Sequence, residues 1–261
     1  LSDEDTPPAE LWKDKEFSNT LFSFEKILAT VHYSWFFSFF EKLEPEKASL
    51  FLAIIPPDLA EKITAKTKRG ASTTSFSPIG KRYITSLFVS AFCQEHNIFP
   101  PELLPFTPFD DIHSFAKPQL LHLVDYLGLQ ELATELATIE HRPLIKSIHS
   151  SLQQEKKEYV LAYIEAGNCV SLDPIDIMKW DGDAKKLHLV IHQKGLKRMG
   201  AALAGMPQPF IQYVCHRLDT GRGSVIQKYA SQHKDQEKNS ALQNQMNEVI
   251  QHFVNNGGHT S

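Results

Sequence analysis

Residues 111–145 read DIHSFAKPQLLHLVDYLGLQELATELATIEHRPLI, and residues 176–211 read DIMKWDGDAKKLHLVIHQKGLKRMGAALAGMPQPFI. Laid on each other at an offset close to 66, both open with Asp-Ile and place an aromatic four residues after the Asp (Phe115, Trp180). Both continue with Leu-His-Leu-Val (121–124, 187–190), Gly-Leu (128–129, 195–196) and Leu-Ala (136–137, 203–204), then Pro, an apolar residue and Ile (143–145, 209–211). Tyr163 and Tyr229 extend the correspondence. Ordered coincidences with a slip of at most one residue indicate an internal duplication. A weaker third copy is read at residues 43–55, which match 127–139 at an offset near 84. Apolar residues recur at spacings of three and four, the period of a buried helix face, and no stretch sustains period-two alternation. Helical units of this kind bury their faces against neighbours, so the expected fold is all-α, with armadillo-like helical repeats stacked into a right-handed or curved solenoid of two to three small domains.

Outward from the repeats, residues 1–15 are acidic, carry Pro7 and Pro8, and read as a mobile tail. A first helical domain is expected over 16–99. It starts with a face made by Leu21, Phe22, Phe24, Ile27, Leu28 and Val31, followed by the aromatic run Trp35, Phe36, Phe37, Phe39 and Phe40. A third helix follows Pro45, over 46–55, and stops at Pro56 and Pro57; proline costs little at a first helical turn because its missing N–H would be unpaired there anyway. Residues 65–78, rich in Ser and Thr after Lys66, Lys68 and Arg69, read as a loop, and a helix is expected over 79–95. Pro100, Pro101 and Pro105 mark the domain boundary. Two repeat units then occupy 100–167 and 168–233, and 234–261 reads as a loosely docked polar helix with a Gly257-Gly258 tail.

Of 261 residues 42% are hydrophobic and the formal charge is −4, enough apolar material for sizeable cores and no basic excess of the kind a nucleic-acid partner needs. Cys93, Cys169 and Cys215 are too sparse for a disulfide framework and imply a reducing compartment. No apolar run reaches about 18 residues, the length of a membrane span, and nothing at the start reads as a secretion signal. The expected location is cytoplasmic, with a peripheral position at the inner-membrane face allowed. The first residue is Leu1 rather than Met, so the chain is expected to be a piece of a longer protein.

Residues 31–59, VHYSWFFSFFEKLEPEKASLFLAIIPPDL, carry a resemblance. They resemble the middle-domain repeat of the flagellar motor switch protein FliG: Glu-His-Pro-Gln, an apolar helix, Leu-Pro-Pro-Glu-Lys-Ala-Ala, a second apolar helix and Leu-Pro-Glu-Glu-Leu. His32, then Leu43, Pro45, Glu46, Lys47 and Ala48, then Ile55, Pro56, Asp58 and Leu59 stand at matching places. Phe106, Phe109, Asp110, Asp111 and Ile112 are similar to the family's Met-Phe-x-Phe-Glu-Asp-Ile segment, with Asp125 at its Val-Asp and Ile177 and Trp180 repeating the pattern. The similarity covers about residues 20–230. It implies an armadillo-like ring subunit that links a membrane basal ring to cytoplasmic ring proteins in a flagellum or type III secretion apparatus, homo-oligomeric in assembly, reaching the membrane only through a ring protein, and without enzyme activity or cofactor. The chain has His32-Tyr33-Ser34 in place of His-Pro-Gln, and the stretch matching the torque helix, 217–230, has Asp219, Arg222 and Lys228 but also Gly221 and Gly223, which weaken a helix by about 1 kcal/mol each. The resemblance is therefore to a static adaptor, with a generic helical-repeat binding module or secretion chaperone as the alternative.

Two patches are expected to bind partners: His32, Tyr33, Trp35, Phe36, Phe37 and Phe40, an aromatic run denser than one core face needs, and Met199 with Met206 beside Pro207 and Pro209. Other constellations read as structural. His188 and His192 share a helix face as zinc ligands can, but lack the Glu of a metalloprotease motif and enclose apolar residues. His122 and His188 look repeat-equivalent. Cys93 with His96 imitates a nucleophile and base, yet no orienting group or oxyanion site is nearby. Asp110, Asp111, Asp181 and Asp183 sit where helices start and read as caps. Gly221-Arg222-Gly223-Ser224 lacks the spacing and Lys of a phosphate-binding loop.

Overall fold

A computed structural model describes residues 24–70, 75–167, 170–232 and 236–256. The expected tail over 1–15, Leu21 and Phe22, Cys169, and Gly257 with Gly258 lie outside the described residues. Among the described residues there are twelve α-helices and no strand. In chain order they are α1 Phe24–Thr30, α2 Ser34–Lys42, α3 Pro45–Leu52, α4 Pro57–Thr67, α5 Pro78–His96, α6 Lys117–Leu136, α7 Arg142–Ser151, α8 Gln154–Ala166, α9 Ala184–Ala202, α10 Gln208–Arg217, α11 Thr220–Gln232 and α12 Gln236–Asn256. None of these helices is long and apolar enough to cross a membrane.

Proline placement explains where several helices begin. Pro45, Pro57 and Pro78 each occupy a first helical position, which needs no N–H donor. Pro57 thus opens α4 rather than only closing α3, and α4 runs three residues, 65–67, into the stretch expected as a loop. Lys68 (φ 57°) and Asn97 (φ 48°) take left-handed conformations that end α4 and α5, and the Ser77 hydroxyl caps α5 by accepting from Gly80 N–H at 3.1 Å.

The chain forms two compact units. One contains the described residues up to Pro105 together with Pro207–Gly223; the other contains Phe106–Met206 and the described residues from Ser224. The break after Pro105 lies six residues beyond the expected 99/100 boundary, still within the proline-rich stretch. The third expected unit, 168–233, is divided instead: α10 joins the first unit, because six of its ten residues, Phe210, Ile211, Tyr213, Val214, Cys215 and His216, are buried.

In the first unit, α2 and α5 contribute an aromatic core. Phe36 stacks on Phe92 at 4.5 Å, Phe39 meets Phe92 edge-on at 5.2 Å, and Phe51 of α3 meets Phe88 edge-on at 5.3 Å. Ile63 of α4 and Ile27 of α1 close the cluster.

The duplication is visible helix by helix in the second half of the chain. Twenty residues in α6 correspond to nineteen in α9, ten in α7 to ten in α10, and thirteen in α8 to thirteen in α11. Burial sets the register of the long pair at 67. Leu120 and Leu187, Val124 and Ile191, Gly128 and Gly195, Leu132 and Met199, and Leu136 and Leu203 are all buried. The Leu-His-Leu-Val coincidence is therefore one residue out of register. His122 corresponds to the exposed Leu189, not to His188, so the two histidines share no structural position. The match of 43–55 to 127–139 also dissolves, since the first is a turn and a short helix and the second is the end of α6.

The two long helices of the second unit pack through the same face of each. A Cβ on Gly128 would lie closer than 3.0 Å to the Ile191 carbonyl, and one on Gly195 equally close to the Val124 carbonyl. Asp125 Oδ1 accepts from His192 Nδ1 at 2.8 Å, and Arg198 pairs with Glu131 at 2.7 Å. Asp125 with His192 and Glu131 with Arg198 join positions 67 apart, and the glycine contacts are reciprocal, Gly128 on Ile191 and Gly195 on Val124. Equivalent faces meeting reciprocally is a local two-fold pairing, whereas successive solenoid repeats meet front to back. α12 completes this unit. Its Leu242, Met246, Val249 and Ile250 are buried at 0–1% exposure and it packs on α6 and α9, so the expectation of a loosely docked helix is corrected.

Candidate protein-interaction surface

The aromatic run of α2 is expected to be partly a docking surface, and the structure places most of it elsewhere. Phe36 and Phe40 are 1% and 0% exposed, so neither side chain has surface to offer. A helix of nine residues with aromatics at 35, 36, 37, 39 and 40 covers more than one face. The face holding 36, 39 and 40 turns to α5, while Trp35 turns to the segment from α10 to α11. Trp35 Nε1 donates to the Leu218 carbonyl at 2.8 Å, and its ring meets His216 edge-on at 4.5 Å. His32 N–H donates to the His216 carbonyl at 2.8 Å, and Thr220 N–H donates to Ser34 Oγ at 2.9 Å. His32, Ser34 and Trp35 thus hold residues 216–220 within the first unit. Gly223 serves the same junction, since a Cβ there would sit 2.8 Å from both Trp35 Cζ2 and the Cys215 carbonyl. Its role is close approach, not helix weakening. Phe37 is half-buried against the core, and Tyr33, at 42% exposure, has Lys62 over its ring at 5.0 Å.

Beside Trp35 lies a pair of imidazoles, His216 buried and His96 half-buried. The rings of His96 and His216 are 5.9 Å apart among Trp35, Phe39 and Phe92, and His96 Nε2 and His216 Nδ1 have no hydrogen-bond partner among the described residues. Burial, with a smaller contribution from neighbouring His96, pushes the His216 pKa from an ordinary 6.5 down to about 3. Burial also lowers His96, partly offset by Glu95, itself paired with Lys42. Below pH 6.5 the unfolded His216 takes a proton that the folded one refuses, so stability falls as pH drops from 6.5 towards 3. Between pH 7.5 and 5.0 this single group is expected to remove about 2 kcal/mol. Chemical denaturation at the two pH values should show that loss in the wild type and a smaller one in His216→Phe, and equal losses would refute the assignment.

The second predicted patch does not form as a surface. Met199 is fully buried between α6 and α9, while Met206 is half-buried. Met199 is a core residue because it corresponds to buried Leu132.

The polar side chains that suggest chemistry are held by structure. Burial pushes the Cys93 thiol up to about 12, so it carries no thiolate at neutral pH. His192 faces Asp125, whose carboxyl burial raises but the His192 hydrogen bond and Lys156 hold below the usual range. Asp183 caps α9 by accepting from Lys185 and Lys186 N–H, as expected, whereas Asp110 accepts from Thr107 and Asp111 from the Gln251 amide. Asp219 accepts from Arg222 N–H at 3.1 Å at the start of α11.

Two carboxylates that sequence reading did not single out, Glu131 and Glu135, one turn apart on α6, tie down the start of the second copy. Glu131 accepts from Leu172 and Asp173 N–H and from Ser171 Oγ; Glu135 accepts from Ile175, Asp176 and Ile177 N–H. Arg198, 1% exposed, satisfies the rest through Glu131, Gln130, Gln245 and the Val170 carbonyl.

Exposed apolar side chains remain. On α5, Ile79, Tyr83 and Leu87 are 82%, 64% and 44% exposed at spacings of four, while Phe88, Val89 and Phe92 are buried. The i, i+4, i+8 spacing was legible in the sequence, but the helix carries apolar residues all round, so only burial showed which ridge faces out. Phe106, at a place the resemblance singles out, is 98% exposed.

No family model, no curated protein and no solved structure matches the chain.

Proposed function

We propose that the protein is a non-catalytic helical adaptor of the FliG type, linking a membrane basal ring to cytoplasmic ring proteins of a flagellum-related or type III secretion apparatus without generating torque. The observation that carries the binding role is the outward ridge of Ile79, Tyr83 and Leu87. Exposed large apolar side chains aligned on one helix ridge are a feature of surfaces that meet another protein. The ring setting rests on the FliG-like residues around His32, Pro45 to Ala48 and Phe106 to Ile112. The residues matching the torque helix support the static reading, because Asp219 and Arg222 pair with each other and Gly223 makes room for Trp35.

The test is co-purification of the tagged chain from its native host after mild crosslinking. Enrichment of basal-ring or cytoplasmic-ring components over a tag-only control is expected. Enrichment of secreted substrates alone would replace this reading with a secretion chaperone, and no enrichment of either would sink both.

A further inference from the structure

From Lys62 to Gln94 the chain holds six basic residues, Lys62, Lys66, Lys68, Arg69, Lys81 and Arg82, and no acid. The whole chain has 27 bases and 31 acids, so the other residues have 27 − 6 = 21 bases against 31 acids and a charge of −10. Two of the six, Lys81 and Arg82, stand near the start of the helix that carries the exposed ridge.

We propose that the Ile79–Tyr83–Leu87 ridge of α5 is the docking site for an acidic amphipathic helix of a partner protein, whose apolar stripe covers the ridge and whose carboxylates meet Lys81 and Arg82. The proposal rests on the adaptor reading only in taking this surface as a protein interface.

The fit is geometric first. Side chains four apart form the i±4 ridge that seats in the groove of a crossing helix. Ala91, one step further along, is only partly buried and leaves room for the partner to continue. The opposite face of α5 is locked into the core by Phe88, Val89 and Phe92, so the helix is a rigid platform. Charge follows. Lys81 and Arg82 are exposed and make no ion pair among the described residues, and the first turn of α5 has no acidic residue. The N-terminal end of a helix adds partial positive charge to theirs. Arg82 lies about 100° round the helix from Tyr83, where a carboxylate flanking the partner's apolar stripe would reach it. Acidic complementarity of this kind steers association and rejects basic partners.

An anionic lipid surface shares the charge preference but not the shape. An interfacial helix sinks a whole apolar face about 5–10 Å into the headgroup boundary. In α5 that broad face is turned inward, and the exposed ridge is one residue wide, bordered by the polar Ser86, Ser90 and Arg82.

The test uses the full chain, selection from an unbiased display library of helical peptides, and depletion on a Tyr83→Glu/Leu87→Glu variant. These positions are exposed, so the variant should keep its helical circular dichroism and melting temperature. Expected clones carry apolar residues at spacings of three and four with Asp or Glu alongside. They should lose binding to the ridge variant and weaken roughly tenfold with Lys81→Glu/Arg82→Glu, as expected for removing complementary charge. Clones that are neutral or basic, or that bind the ridge variant equally, would overturn the proposal. So would ridge-dependent co-sedimentation with phosphatidylglycerol vesicles, which would assign the surface to lipid, or ridge-dependent dimerisation by light scattering, which would assign it to a second copy. Ring proteins that co-purify equally with wild type and ridge variant would sink the ridge proposal and leave the adaptor reading standing.

Discussion

Gly128→Ala and Gly195→Ala are each expected to destabilise the second unit by about 3–5 kcal/mol, against the general rule that alanine improves a helix over glycine by about 1 kcal/mol. The reversal comes from the partner helix. Each new Cβ meets a backbone carbonyl, of Ile191 or of Val124, and a backbone cannot rotate aside as a long side chain can. The helices must separate, and separation loosens Leu120, Val124, Ile191 and Met199 together. Because both substitutions impose the same separation, the double variant should cost little more than either single one, a non-additivity expected of residues in contact. Urea denaturation followed by circular dichroism measures all three. A Gly128→Ala protein more stable than wild type would show that α6 and α9 do not approach this closely.

The second large effect is expected at Arg198. Arg198→Met leaves the Glu131 carboxylate, 2% exposed, without its cation and removes the guanidinium N–H groups that donate to Gln130 Oε1, Gln245 Oε1 and the Val170 carbonyl. Removing one partner of a buried pair costs about 3–5 kcal/mol, most of it the isolated charge. Arg198→Met/Glu131→Gln removes that charge while keeping a hydrogen-bonding group near the N–H groups of Leu172 and Asp173, so it should recover part of the loss. A single Arg198→Met loss below about 1 kcal/mol, the size of an ordinary exposed pair, would contradict the buried geometry.

Both predictions turn on positions that the repeat made visible but could not explain. Gly128 and Gly195 stood out as matching residues, yet nothing in one-dimensional order says that they face each other. Glu131 and Arg198 correspond at the register that burial sets, but opposite charges do not look like a repeat match. Their pairing makes sense only across a two-fold contact, where equivalent positions meet and identical charges would repel. The apparent Leu-His-Leu-Val match misled for the same reason: local identity outweighed the spacing of residues that share a face.

The aromatic run of α2 shows the complementary limit. Its density did signal more than one packing face, and Trp35 does serve a second one. The neighbour, however, is the segment of α10 and the following turn, more than 170 residues away in the chain, and it belongs to the same unit. A surplus of apolar side chains announces a partner without saying whether that partner is another protein or a distant stretch of the same chain. The ridge on α5 gives the opposite lesson, since Ile79, Tyr83 and Leu87 drew no notice among the many apolar residues of their helix.

By itself, then, the sequence determined the helical class and the helix starts at Pro45, Pro78 and Asp183, because the 3.6-residue period, proline geometry and capping act within a few residues. Tertiary structure alone decided which faces meet: the two-fold seam at Gly128 and Gly195, the capture of α10 by the first unit, the burial of Phe36, Phe40 and Met199, and the exposure of the α5 ridge. Those outcomes depend on shape and charge matched between residues far apart in the chain, which no local pattern records.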